Sequence, residues 1–410
     1  MMFDFDWPIE RSGSGSEKWD GRLARFGRAD VVPLWVADMD FAAPPEVVQA
    51  LMQRAAHPVY GYTQISEDAF VALRAWLRER FAWPVARDTL MLAPGVVPSI
   101  HAAILACSAP GEGIIVQPPV YAPFMGAVRQ LGRRLLENPL QPVVTADGMD
   151  YAIDLPGLER CAAAGARMLL LCSPHNPVGR VWREDELRAV LDIARRHRLT
   201  VFADEIHADL VYAGNRHLPL ATLATDADQV LTAVAPSKTF NVPGLGLSAL
   251  VIESASVRAA VQRVFDDWHW RAGNPFSLVA FVAAYRHGSP WLDALLDTLG
   301  RNRDLVADGI RRHWHGVHPV LPQGTALMWL DCRGLELDDV ALQHFFVERC
   351  GLGLSPGIQF GTVGSGFMRL NFATQPERLR AAIAQAAQAF GRSGPGRHGS
   401  AHASDQPDAG

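Results

Sequence analysis

Lys238 lies in Ala235-Pro236-Ser237-Lys238-Thr239-Phe240-Asn241, directly after the apolar run Val230–Val234. An amine there can condense with a carbonyl group and later carry a proton to or from carbon. Taken alone, it reads as a solvated lysine at the end of a strand. Two upstream segments change that reading. The run Thr200–Ala203 ends in Asp204-Glu205-Ile206-His207-Ala208-Asp209, and Met168–Cys172 ends in Ser173-Pro174-His175-Asn176-Pro177. Three apolar runs thus end in an amide, a carboxylate and an amine. Pyridoxal 5′-phosphate (PLP) chemistry needs that set. The lysine holds the aldehyde, and Asp204 keeps the ring nitrogen protonated so that the ring accepts electrons from a carbanion. Asn176 can donate to the cofactor's phenolate oxygen. His207, three residues past Asp204, can touch the same oxygen or pack near it.

A phosphate needs a site of its own. Ala93-Pro94-Gly95-Val96-Val97-Pro98-Ser99 precedes a helical stretch over 99–107. A glycine turn opening a helix offers free backbone N–H groups, here at Val96 and Val97, at the positive end of the helix dipole. Many ordinary turns look the same. Ser237 can add a hydroxyl. Tyr121, in Pro118-Pro119-Val120-Tyr121-Ala122-Pro123-Phe124, can stack on a ring or be a half-buried turn tyrosine. From spacing alone, Arg369 is an ordinary arginine on a strand.

These residues require a frame. Apolar runs without polar alternation occur at Gly113–Val116, Met168–Cys172, Thr200–Ala203, Val230–Val234 and Leu247–Ile252. Such runs are strands buried on both faces, which predicts a largely parallel sheet covered by helices. Ligands bind at the carboxyl ends of such strands. Helical spacing covers 46–56, 66–81 and 183–197, with Phe70, Leu73, Leu77 and Phe81 on one face of the second. Beyond about 276 the pattern is helix, a strand at Trp329-Leu330-Asp331 and a helix at 338–350. The expected division is an N-terminal arm with part of the small domain over 1–45, a large cofactor-binding domain over 46–275, a small α+β domain over 276–391 and a disordered tail over 392–410. Residues 1–32 are polar, with a Ser/Gly run at 12–16, and read as an extended arm rather than a packed element.

The bulk numbers exclude several classes. The chain has 410 residues, 49% hydrophobic, too long for one small domain. With 38 Lys+Arg against 43 Asp+Glu, it carries no basic footprint for nucleic acid. Its five cysteines (107, 161, 172, 332 and 350) are odd in number and contain no C-x-x-C, which predicts buried free thiols in a reducing compartment. The N-terminus lacks a signal-peptide pattern and no apolar run is long enough to span a membrane, so a cytoplasmic protein is expected. His313, His315 and His318 have no acid or cysteine beside them to complete a metal site, so no metal is expected. His269, between Trp268 and Trp270, reads as an interface or core residue.

The motifs together resemble the class I/II aminotransferase superfamily of fold-type I PLP enzymes, and more narrowly its cystathionine β-lyase (C–S lyase) branch. The resemblance runs from about Trp35 to Phe390. It rests on Pro33-Leu34-Trp35-Val36-Ala37-Asp38-Met39-Asp40-Phe41, Tyr60-Gly61-Tyr62, the Asp204 and Lys238 segments, Ala283-Ala284-Tyr285 with Trp291, and Phe367-Met368-Arg369-Leu370-Asn371-Phe372-Ala373. It implies an α/β fold with a mostly parallel seven-stranded sheet sandwiched by helices, plus a smaller α+β domain. It implies PLP held as a Schiff base on Lys238. Arg369 would clamp the α-carboxylate of a small amino-acid substrate, with Asn176, Tyr121 and Ala37 beside it. Tyr62, and with it Tyr60, would reach the phosphate of a neighbouring subunit's cofactor, giving a homodimer with shared sites. One departure stands out: many aminotransferases of this superfamily carry an arginine shortly after the lysine, and the stretch Asn241–Leu247 has no basic residue. Backbone N–H groups, Ser237 and tyrosine hydroxyls would then meet the phosphate charge. The implied activity is β-elimination of cystathionine or another cysteine S-conjugate to a thiol, pyruvate and ammonia. The alternatives are amino transfer from an L-amino acid and a regulatory or binding role on the same fold.

Overall fold

The structure is a computed structural model and describes residues 3–146 and 148–392. Seven strands form its central sheet: β1 (Leu90–Ala93), β2 (Gly113–Val116), β3 (Arg134–Glu137), β4 (Ala166–Cys172), β5 (Thr200–Asp204), β6 (Gln229–Val234) and β7 (Ser248–Ile252). Their order across the sheet is β1-β7-β6-β5-β4-β2-β3. β7 runs antiparallel to both β1 and β6, and the remaining pairs are parallel. Alternate residues feed opposite faces, as the two-residue period of a strand requires. Ile114, Met168, Leu170 and Phe202 pack with Ile100, Phe124 and Val261 on one face. Ile115, Leu169, Leu171 and Val201 pack with Leu158, Leu187 and Val190 on the other.

Five of these strands are the five apolar runs. β1 and β3 escape a reading by apolar runs. β3 is an edge strand whose end residues, Arg134 and Glu137, are exposed. β1 is a fully buried apolar run as short as β2 that the sequence reading did not pick out. Its place in the sheet comes from antiparallel pairing with the distant β7.

A second sheet holds β8 (His318–Val320), β9 (Leu327–Asp331), β10 (Ser355–Pro356) and β11 (Phe367–Asn371) in the antiparallel order β8-β9-β11-β10. Met328, Leu330, Met368 and Leu370 share a core with Val306 and Ile310 of the helix Ser289–His313. The opposite face joins the core under the central sheet through Trp329 and Phe367. The Trp329 Nε1 donates to the Tyr151 hydroxyl at 3.2 Å, and Tyr151, on the separate hairpin strand Gly148–Ala152, shares that core.

The N-terminal segment differs from its sequence reading as an extended arm. Phe5 and Phe26 are buried, and Lys18 is wholly so. Residues 17–20 and 22–26 are short helices. The Ser/Gly run is a turn wrapped on Asp20, whose carboxylate accepts the N–H groups of Gly13, Gly15 and Ser16. Val32 and Pro33 pair with Leu352 and Gly353. The segment has little local apolar content, so its burial depends on a few long-range contacts that no local pattern reports. The final helix runs from Pro376 to Arg392. The expected tail beyond it lies outside the described residues. His269 is exposed rather than in the core, at φ 52°. All five cysteines are free, with Cys172, Cys332 and Cys350 buried. Among the described residues no helix is long and apolar enough to cross a membrane, and no cluster of His, Cys, Asp and Glu is placed to hold a metal ion.

Candidate active site

Five parallel strands deliver the site residues from their carboxyl ends, where a sheet of this type binds ligands. β1 leads through Gly95 into the helix Val96–Cys107. β2 leads to Tyr121, β4 to Asn176, β5 ends at Asp204, and β6 leads into the one-turn helix Pro236–Thr239 that carries Ser237 and Lys238. Gly95 has φ 143°, a left-handed-side conformation that glycine adopts without steric cost.

Lys238 Nζ donates to the Ala37 carbonyl at 3.0 Å. Burial, reinforced by the Arg369 charge, lowers its pKa to about 8. Such an amine can both lose and regain a proton near neutral pH. Asp204 is buried, and its Oδ1 accepts the Ile206 N–H at 3.1 Å. Desolvation pushes this carboxyl up to about 7. His207 is buried, and burial followed by the charges of Lys238 and Arg369 takes its pKa down to about 3, so the ring is neutral. Its Nδ1 is buried without a hydrogen-bond partner among the described residues.

Arg369 arrives from the other sheet, on β11. Its Nη1 donates to Asn176 Oδ1 at 3.1 Å, and its Nη2 donates to the Trp35 carbonyl at 2.8 Å and to Ser355 Oγ at 3.3 Å. The guanidinium lies 4.8 Å from the Phe360 ring centroid. Burial lowers its pKa only to about 10, so it stays charged at neutral pH. Tyr121 is half-exposed, and its N–H donates to the Asn176 carbonyl at 3.1 Å. Burial raises the pKa of its hydroxyl, which is therefore protonated.

This donor set has a characteristic gap. Among the described residues Asp204 is a buried acid that forms no ion pair, the Lys238 charge offsetting only part of its desolvation, and His207 has an idle ring nitrogen. The helix at Val96 opens without a side-chain cap, and Pro98 contributes no N–H, which leaves the N–H groups of Val96 and Val97 as its first donors. Ser237 stands next to Lys238. A flat cationic ring that carries an aldehyde and a phosphate fits these groups: the cation against Asp204, the aldehyde at Lys238, and the phosphate toward Val96, Val97 and Ser237.

The structure brings Lys238, Asp204, His207, Asn176, Tyr121, Arg369 and Ala37 into one site. Tyr62 is fully exposed, so its own chain's site does not enclose it. Tyr60 is exposed, and its hydroxyl donates to the Ala55 carbonyl at 2.7 Å. Four residues that the sequence reading did not assign shape the site. Ser355 and Phe360 hold Arg369, while Asn241 and Asn371 fasten the backbone of residues 36–41. Asn241 has φ 55°, where asparagine is favoured, but no local signal distinguishes it from any turn asparagine.

A doubly covered, mostly parallel sheet with a lysine and an acid beyond its strand ends, met by an arginine from a second sheet, defines an α/β enzyme with a buried polar site. The chain belongs to the aminotransferase class I and II family, whose pattern matches residues 29–385. It is 38% identical to cystathionine beta-lyase PatB of Bacillus subtilis over 90% of this chain and 95% of that one. It is 35% identical to protein MalY of Escherichia coli over 93% of this chain and 97% of that one. The solved structure of cystalysin from Treponema denticola, which contains a pyridoxal 5′-phosphate cofactor, superposes with a TM-score of 0.90 at 32% identity, covering 96% of this chain and 100% of that one.

Proposed function

We propose that the protein is a PLP-dependent C–S β-lyase that splits cystathionine or another cysteine S-conjugate into a thiol, pyruvate and ammonia. The observation that carries this reading is the buried Asp204, which forms no ion pair among the described residues, in one pocket with Lys238 and Arg369. Names borne by the relatives, a cystathionine beta-lyase among them, support it.

PLP, when bound, supplies the sink for electrons left on the substrate's Cα after its proton is removed. The chain's residues do the rest. Arg369 offers a planar pair of N–H donors to the α-carboxylate, which turns Cα toward Lys238. Lys238 Nζ takes the Cα proton. Asp204 would hold the cofactor by its ring nitrogen and, as a carboxylate, would keep that nitrogen protonated. Neutral His207 and Asn176 contribute hydrogen bonds without adding charge. The Cβ–S bond then breaks, the sulfur leaves with the bonding pair, and Lys238 can return its proton to the thiolate. The remaining three-carbon enamine takes up water and yields pyruvate and ammonia.

The test is direct. Purified protein given cystathionine and no 2-oxo acid should release pyruvate continuously, read by coupled lactate dehydrogenase. Conversion of an added 2-oxo acid to its amino acid, with no pyruvate released from cystathionine, would instead identify an aminotransferase.

The active unit in this reading is a homodimer with shared sites. Tyr62 is fully exposed, and Val59, Tyr60 and Ile65 close to it in sequence are exposed as well, apolar surface that a second subunit would cover. Mixing Tyr62→Phe with Lys238→Ala subunits creates one site that holds both natural residues from different chains. Activity should therefore rise above the sum of the separate variants, and an unchanged sum speaks against a shared site. The five free thiols support a reducing, cytoplasmic setting. The same reading keeps a large unit over 46–275 and a small one over 276–391, with 1–45 contributing to the latter.

A further inference from the structure

The backbone of residues 35–41 forms one wall of the active site, and its carbonyls are the direct partners of the reacting groups. Trp35 O accepts from Arg369 and Ala37 O accepts from Lys238. On the site side this wall is tied by Asn241, three residues after Lys238, and by Asn371, two residues after Arg369. Asn241 Oδ1 accepts the Met39 N–H at 2.9 Å, and its Nδ2 donates to the carbonyls of Met39 and Phe41. Asn371 Nδ2 donates to the carbonyls of Val36 and Asp38.

The far side of the wall is held by the N-terminal segment. Asp40 has a side chain with no exposure, and so does its partner Lys18, whose Nζ lies 3.0 Å from Asp40 Oδ2 and 3.2 Å from the Asp38 carbonyl. Arg11 Nη1 donates to Asp40 Oδ1 at 2.7 Å and to the Met39 carbonyl at 3.1 Å, while its Nη2 reaches Asp38 Oδ2 at 2.7 Å. Trp19 Nε1 donates to Asp40 Oδ1 at 2.9 Å, and Arg378 stands 3.5 Å from Oδ2. Lys18 and Trp19 come from the helix at 17–20.

A fully buried ion pair is a poor device for stability alone, because desolvation of both charges offsets their attraction and apolar replacements often do as well. What such a pair supplies is a single geometry. We propose that Lys18 and Arg11, acting through Asp40 and Asp38, are positioning residues: they clasp the 35–41 wall from outside and so set the Trp35 and Ala37 carbonyls that orient Arg369 and Lys238 toward the substrate's carboxylate and Cα. This deepens the proposed lyase function and rests on its carboxylate site. Neither residue touches the substrate.

The experiment uses the full-length holoenzyme with Lys18→Met, Lys18→Arg and Arg11→Gln. Three quantities are read: the affinity for L-alanine (an amino acid with no leaving group) from its change in the bound cofactor's absorbance, KM and kcat for cystathionine, and hydrogen exchange at the Met39 and Asp40 amides. Misplacement of an orienting group by about 1 Å costs up to about 100-fold, so L-alanine affinity should fall and KM rise by about tenfold or more. The same loosening should lower kcat as well, because Lys238 is no longer held toward Cα, and speed exchange at both amides. Lys18→Arg should restore most of the affinity. A lower melting temperature with wild-type L-alanine affinity and exchange in Arg11→Gln overturns the proposal. Arg11 is partly exposed, so that variant decides even if Lys18→Met fails to fold. If the wild-type protein makes no pyruvate from cystathionine, the lyase reading fails, while L-alanine affinity and exchange still judge the clasp.

Discussion

Lys238→Ala should reduce pyruvate release from cystathionine by at least about 10⁴-fold. Removing the amine takes away the anchor for the cofactor's aldehyde and the base that moves the Cα proton, and no neighbour can replace either function. His207 lies in the same pocket, but burial and two cations hold it neutral with a pKa of about 3, which makes it too weak a base for a carbon acid. Arg369 remains charged at neutral pH. Tyr121 has a raised pKa and stays protonated. The expected result is therefore a folded protein without turnover, checked by initial rates alongside circular dichroism. Residual turnover above about one per cent of wild type would require another proton acceptor and would displace Lys238 from its role. The same variant addresses a regulatory or binding role on this fold: an effect that survives in Lys238→Ala would not depend on catalysis.

Asp204→Asn should produce two effects of opposite sign. Turnover should fall by about 10³-fold, within the range that one preorganised electrostatic group contributes, because asparagine cannot hold the cofactor's ring nitrogen protonated. The apoprotein, in contrast, should become more stable at alkaline pH. The Asp204 carboxyl is raised from 3.8 to about 7 by burial. A carboxyl whose pKa is higher in the folded state than in the unfolded chain contributes fully below the unfolded value, and the contribution is lost as pH rises through the folded value. Wild-type apoprotein should therefore lose on the order of 4 kcal/mol between pH 4 and pH 8 from this group, by the linkage of about 1.36 kcal/mol per pKa unit. The substituted amide does not ionise, so the variant apoprotein should lack that loss. Urea melts of both apoproteins at pH 5 and pH 8 read the difference directly. A wild-type apoprotein no less stable at pH 8 than the variant, relative to pH 5, would mean that Asp204 already has a cationic partner within the chain. A cation held against the carboxylate when the cofactor is bound cancels the penalty, so the gap should close in the holoenzyme.

Much of the fold was readable because burial leaves a local trace. A strand covered on both faces must be apolar at every position, and β2, β4, β5, β6 and β7 announce themselves as uninterrupted runs. Where the strand lies at an exposed edge the trace vanishes, as in β3, while β1 escapes the reading although it is as apolar and as short as β2. β1 nonetheless positions Gly95 and the helix start at Val96, so a strand absent from that reading supports the proposed phosphate site.

The N-terminal segment shows the same limit from the opposite side. Its polar residues read as a solvated arm because polar side chains are normally exposed. Here Lys18 is buried because Asp40, far along the chain, compensates its charge, and compensation is invisible in a window of neighbours.

The order of amide, acid and amine at three strand ends is written in the residue order, and with it the chemistry that Asn176, Asp204 and Lys238 can support. Both the strand period and the position of a polar residue just after an apolar run are local properties, so no contact map is needed to see them. Only folding brings Arg369 in from a second sheet to meet Asn176, leaves Tyr62 fully exposed on its own chain, and makes residues 35–41 a wall held by Asn241 and Asn371 within and by Lys18 and Arg11 outside. These are contacts between distant segments, and their energies depend on shared burial: a charge is tolerated at 0% exposure only where another part of the chain delivers its counter-charge.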